Sequence, residues 1–210
     1  MPNQINAKEA LKRLRDGNLR FSSNLRTQES LFTDHRRGEL LTGQEPFAII
    51  LGCSDSRVPA EIVFDQGLGD LFVIRVAGNI VAPSQIGSVE FAVSQFGPRL
   101  VIVLGHSKCG AIHATIKQLT EGNASSSKNI RSIVDRVKPS IEGLMATDLK
   151  NDSDALEREA VRANVRASAN QLRHGSAIIE NLIETDGLMV VGAEYSLETG
   201  CVDFFDGVSD

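Results

Sequence analysis

Four short, unbroken apolar runs set the strongest limit on how this chain can fold: Phe47-Ala-Ile-Ile-Leu51, Leu71-Phe-Val-Ile74, Leu100-Val-Ile-Val-Leu104 and Leu188-Met-Val-Val191. A strand with one wet face alternates apolar and polar residues, whereas a continuous apolar run of this length fits a strand covered on both faces. Helical spacing lies between the runs. Ser84 is placed to cap a helix carrying Ile86, Val89, Val93 and Phe96, with Gly97 as its stop. A second helix starts near Cys109 and carries Ile112, Ile116 and Leu119, and a third follows near Ile130 with Val134, Val137 and Ile141. A long charged helix over 154–174 shows Val161, Val165, Ala169 and Leu172 on one face, and a shorter one follows Gly175-Ser176. Strands alternating with helices predict right-handed crossovers and a parallel sheet sandwiched by helices.

The two ends differ from this middle. Asn6-x-x-Glu9 reads as a capping box, behind which Ala7, Ala10, Leu11, Leu14 and Phe21 recur at helical spacing, with a bend or break expected at Gly17. Residues 24–45 are mixed and polar and are expected to wrap the surface, and 122–128 reads as a polar loop. At the other end, Glu198-Thr-Gly200 predicts a turn that returns Cys201–Phe205 as an antiparallel edge strand. The expected architecture is one α/β domain over residues 1–210: a central, mostly parallel sheet covered by helices, an antiparallel C-terminal edge strand, and an N-terminal helical arm and wrapping segment over 1–45.

Composition narrows the function classes. A formal charge of -5 gives no electrostatic footprint for nucleic acid. The N-terminus lacks the apolar core of a secretory signal, and no apolar stretch reaches the ~20 residues needed to span a bilayer. A cytoplasmic location is expected. Three cysteines, Cys53, Cys109 and Cys201, are too few and odd in number for a disulfide framework, which favours metal or catalytic use.

Two of them follow buried runs. The first run continues Gly52-Cys-Ser-Asp-Ser-Arg57 and the third Gly105-His-Ser-Lys-Cys-Gly110. In open α/β sheets the ligand site lies at the carboxyl ends of the strands. If these two strands are neighbours, Cys53, His106 and Cys109 converge, and each preceding glycine is expected to allow a sharp turn. Two thiolates and an imidazole suit zinc, and three protein ligands leave a fourth position open, as at catalytic zinc. Asp55 is the one near candidate for that position in a resting form. Otherwise it is placed to orient a metal-bound oxygen, with Arg57 holding its carboxylate by a bidentate pair.

With both motifs quoted, the sequence resembles the β-class carbonic anhydrases over roughly residues 5–205. The resemblance implies a zinc lyase that reversibly hydrates carbon dioxide to bicarbonate and a proton, zinc-bound hydroxide attacking the carbon. It implies Cys53, His106 and Cys109 as zinc ligands and Asp55 with Arg57 as the catalytic dyad. It implies a small substrate pocket including Gln44, Phe72, Ala77, Phe91 and Gly110, Phe91 standing where the plant-like branch often has Tyr. Ile50 replaces the Trp of another branch's inhibitory bicarbonate site, although Arg75 matches one of that site's members. Homodimers or dimers of dimers are implied, the N-terminal helix packing on a neighbouring subunit and the pocket at the interface.

Plainer readings attach to several of these residues. Free cysteines often serve as small buried hydrophobes, Asp55 with Arg57 is also a simple loop ion pair, Phe72 and Phe91 also suit plain core packing, and His113 is first a helix-surface residue. Cys201 reads as structural. The competing functions are a carbon disulfide or carbonyl sulfide hydrolase on the same scaffold, a non-catalytic zinc-stabilised interaction domain, and a thiol redox protein, which would want a Cys-x-x-Cys that this chain lacks.

Overall fold

The computed structural model describes residues 5–25, 33–122 and 127–208. Residues 26–32 of the expected wrapping segment and 123–126 of the polar loop lie outside these.

The four apolar runs become β1 (Ala48–Gly52), β2 (Leu71–Arg75), β3 (Leu100–His106) and β4 (Met189–Tyr195), and β5 (Val202–Asp206) is the returning edge. They form one sheet in the order β2-β1-β3-β4-β5, parallel except for the antiparallel β4–β5 pair. Every residue of β1 and β3 is buried, which is why their runs show no alternation. Alternate side chains serve two cores. Ile50, Leu100, Ile102 and Leu104 pack with α1 (Ala7–Ser22) and the short α3 (Ala60–Val63). Ile49, Leu51, Val101 and Val103 pack with α4 (Pro83–Gln95), α7 (Ser153–His174) and α8 (Ala177–Thr185). The exposed α2 (Asp34–Glu39) precedes β1, and α5 (Gly110–Glu121) and α6 (Lys128–Ile141) close over the carboxyl end of the sheet. Among the described residues no helix is long and apolar enough to cross a membrane.

Three local expectations change. Helix α1 runs through Gly17 without a break. A Cβ there would stand 1.9 Å from the Phe64 carbonyl oxygen, so Gly17 marks a close approach between helix and chain rather than a hinge. The apolar face of α1 (Ala7, Ala10, Leu11, Leu14) is seated on its own chain beside Phe47, Ile50 and Phe64. Ser84 does not cap α4: the helix starts at Pro83 after Ala82, and the Ser84 hydroxyl bonds Gln85 instead. Proline at the first helical position forfeits no bond, because that N–H would lack a helical acceptor. Finally, Gly52 and Gly105 lie inside β1 and β3, and neither has positive φ. Gly105 instead makes room for α7, since a Cβ there would meet Val165 Cγ2 at 2.5 Å.

The chain leaves β1 for β2 on one side of the sheet and then crosses back to place β3 on the other. The carboxyl ends of β1 and β3 therefore flank a topological switch point, where the two outgoing connections part and leave a crevice. Register sets Gly52 level with Leu104, so the loops carrying Cys53 and His106 start side by side.

Candidate metal centre

Cys53, His106 and Cys109 meet at this switch point. One ligand atom from each lies within 4.8 Å of the other two, and all three residues are buried. Cys53 leaves the end of β1, and His106 is the last residue of β3. The chain then passes through Lys108 at φ +55, a left-handed residue that turns it back, and Cys109 takes the N-cap position of α5. The two loops thus reach one point by different routes.

The donor chemistry fits a metal. His106 Nδ1 lies 2.9 Å from the Ser107 carbonyl oxygen. A carbonyl can only accept, so Nδ1 carries the proton and Nε2 presents a bare lone pair. Nε2 is buried with no hydrogen-bond partner, a cost that a cation would relieve. The Cys53 thiol is pulled down, first by the hydrogen bond from Cys109, with help from the Gly78 amide, which donates to its sulfur at 3.3 Å. Cys109 is pushed up, first by the same contact with Cys53 and then by burial. The pair therefore carries one negative charge on its own, and a cation between the sulfurs favours loss of the second proton.

Asp55 stands just outside this set, its Oδ2 3.9 Å from His106 Nε2. Arg57 grips it twice, Nε to Oδ1 at 2.9 Å and Nη2 to Oδ2 at 2.7 Å, and the Arg57 backbone amide adds a third bond at 2.9 Å. The guanidinium holds the Asp55 carboxyl well below the usual carboxylate range. Arg57 also donates to the Lys108 carbonyl at 3.2 Å, tying the two loops together.

The other sequence-expected residues separate into two groups. Ala77 precedes Gly78, whose amide meets Cys53, and Gly110 follows Cys109; both adjoin the centre. Phe72 and Phe91 instead join Phe96 in an aromatic cluster with ring centroids 5.8–6.3 Å apart, Phe91 being 53% exposed. Gln44 shares a surface groove with Phe96. Phe72 sits three residues before Arg75, roughly 10 Å along β2. His113 and Cys201 are exposed. Sequence reasoning missed the main brace of the first loop: Arg75 donates to the carbonyls of Cys53 at 3.0 Å and Asp55 at 2.6 Å. An arginine ending an apolar run beside the Cys53 loop is the signal that could have found it.

Comparison with known proteins agrees with this arrangement. The family model described as Carbonic anhydrase matches residues 48–202. Carbonic anhydrase 2 of Mycobacterium tuberculosis is 40% identical over 202 residues, 95% of this chain and 93% of that protein. Among solved structures, a β-carbonic anhydrase of Aspergillus fumigatus superposes with a TM-score of 0.74 at 22% identity, covering 97% of this chain and 92% of that one. One of two β-carbonic anhydrases of Sordaria macrospora, described as tetrameric, gives 0.73 at 22% identity over 94% and 97%. At that identity the structural likeness speaks for the fold.

Proposed function

The chain belongs to the β-carbonic anhydrase family, and from that premise we propose that it interconverts carbon dioxide and bicarbonate at a zinc ion held by Cys53, His106 and Cys109. The observation that carries this reading is the convergence of two thiols and one bare imidazole nitrogen within 4.8 Å, beside a carboxylate that a guanidinium keeps ionised. Zinc held there by Cys53, His106 and Cys109 would supply Lewis-acid chemistry, making a water easier to deprotonate near neutral pH.

The chain's own groups do the rest. Cys53 and Cys109 offset the cation's charge, and His106 presents Nε2 because Ser107 fixes its tautomer. Asp55 has no proton at neutral pH, so it can only accept. A solvent molecule entering the cluster donates to it and is thereby aimed with a lone pair free for the substrate carbon. Arg57 keeps Asp55 from turning and from protonating. We read the whole chain, 1–210, as one catalytic domain, with residues 1–45 as its helical arm and wrapping segment.

A homo-oligomer completes the proposal. The half-buried cluster of Phe72, Phe91 and Phe96, in which Phe91 stands exposed, with Gln44 nearby, supports a second copy docking there. Gln44, Phe72 and Phe91 would then line the partner's pocket, while Ala77 and Gly110 line their own.

Metal analysis combined with stopped-flow hydration assays tests the function. One zinc per chain and hydration that disappears with chelation and returns with zinc are expected. A fully zinc-loaded protein that does not hydrate carbon dioxide would overturn it.

A further inference from the structure

The inward face of α7 is apolar at Val161, Val165, Ala169 and Leu172, yet two polar side chains interrupt it. Asn164 is 2% exposed and Ser168 5%. Polar groups buried this deeply are unfavourable unless each finds a hydrogen bond. Both do, and both find the same target. Asn164 Nδ2 donates to the Gly78 carbonyl at 2.8 Å, and Ser168 Oγ donates to the Asn79 carbonyl at 3.0 Å. These are consecutive carbonyls of one turn, whose residues are both left-handed, Gly78 at φ +69 and Asn79 at φ +42.

That turn is demanding. A non-glycine residue in the left-handed region is uncommon and needs its surroundings to hold it there. The Asn79 side-chain nitrogen, Nδ2, is itself buried with no hydrogen-bond partner. A Cβ at Gly78 would stand 3.0 Å from Ala111 Cβ, so the turn is also pressed against the start of α5. What the turn delivers is one contact: the Gly78 amide donates to Cys53 Sγ at 3.3 Å. The Gly78 N–H lies in the peptide plane just before these two carbonyls, and holding both of them limits how far that plane can swing away from the sulfur.

We propose that Asn164 and Ser168 are positioning residues for the metal centre: by pinning the Gly78–Asn79 turn they aim its amide at the Cys53 sulfur and set how strongly that sulfur donates to the metal. This rests on the metal reading given under the proposed function. Groups beyond the ligands themselves orient and tune a metal site in this way, and losing one typically costs about 10–100-fold in metal affinity. A role confined to satisfying two buried carbonyls would leave the ligand's electronic character untouched.

Cobalt(II) loaded into the metal-stripped full chain separates these possibilities. Wild type should take up one cobalt and show a sulfur-to-cobalt charge-transfer band; a wild type without it would overturn the thiolate metal centre itself, independently of the role of α7. Asn164→Leu keeps the size and removes the donor. Its band should move to lower energy, because a sulfur freed of its hydrogen bond gives up charge more easily, and cobalt affinity should fall about tenfold. Ser168→Ala should shift the band in the same direction by less, while Ser168→Thr, which keeps the hydroxyl, should restore the wild-type band. Wild-type band and affinity in both folded Asn164→Leu and Ser168→Ala would overturn the proposal. Should Asn164→Leu fail to fold, the Ser168 pair decides alone: identical bands in Ser168→Ala and Ser168→Thr refute it.

Discussion

The loop after β1 and the loop after β3 meet at one point but are held there by different means. The β3 loop brings two metal-competent groups, His106 and Cys109, and stands on the backbone of β4. The Ser107 amide donates to the Tyr195 carbonyl at 3.0 Å, and Ser107 Oγ accepts from the Leu197 amide at 2.9 Å. It continues the sheet's own ladder. The β1 loop brings one sulfur and the Asp55 carboxylate, and side chains position it: Arg75 from β2 holds two of its carbonyls, and Arg57, within the loop, holds Asp55. The β3 loop is thus set by strand pairing, whereas the β1 loop, Cys53 and Asp55 included, is set by replaceable side chains. Electrostatics and orientation of Asp55 can change without disturbing the pairing of β3 with β4.

The largest test of this contrast is Cys109→Ala. Removing a group from the ladder-built loop should abolish metal binding, and with it hydration; full zinc occupancy by elemental analysis would contradict the ligand set. Asp55→Asn should keep its metal while hydration falls by about a hundredfold or more, the usual scale for a positioned acid–base group. Wild-type turnover in the stopped-flow trace would remove Asp55 from the mechanism. Arg75→Ala should lower kcat/KM roughly tenfold with metal retained. Ser107→Ala removes the acceptor for the Leu197 amide and should instead cost about 1 kcal/mol of stability, read by denaturant unfolding, with turnover changed less than in Arg75→Ala. Equal effects of the two on turnover would erase the contrast.

The smallest effect concerns the footing of the β3 loop. Glu194 pairs with Gly105 across β3 and β4, and burial raises its pKa despite the neighbouring Arg162. A carboxyl raised in the folded state binds more protons there than when unfolded. Stability should therefore fall as pH rises from the ordinary Glu value, about 4.3, through the folded value. Glu194→Gln should flatten that part of the stability–pH curve, and an unchanged slope would mean that the group does not couple to folding.

Most of the fold was legible because the buried strands announce themselves: β1 and β3 are covered on both faces, so their sequences are continuously apolar. The metal set was legible because its residues stand immediately after those runs. What escaped the sequence was contact between distant segments. Gly17 looks like a helix breaker until the Phe64 carbonyl is seen against it. Gly105 looks like a turn residue until Val165 is seen across from it. Asn164 and Ser168 sit on the same stripe as Val165 and Leu172, and only their acceptors, nearly ninety residues earlier, say why polar groups belong there. The aromatic cluster of Phe72, Phe91 and Phe96 carries no periodic signal distinguishing an outward face from a core.

Arg57 spends three donor contacts on Asp55 and the Lys108 carbonyl together. It is both clamp and strut. Lysine would keep the charge yet lack the planar fork, and so could not reproduce the two parallel bonds to the Asp55 carboxylate. A single flat cation thus holds the carboxylate of one loop and links that loop to the other, so a change at position 57 is felt on both sides.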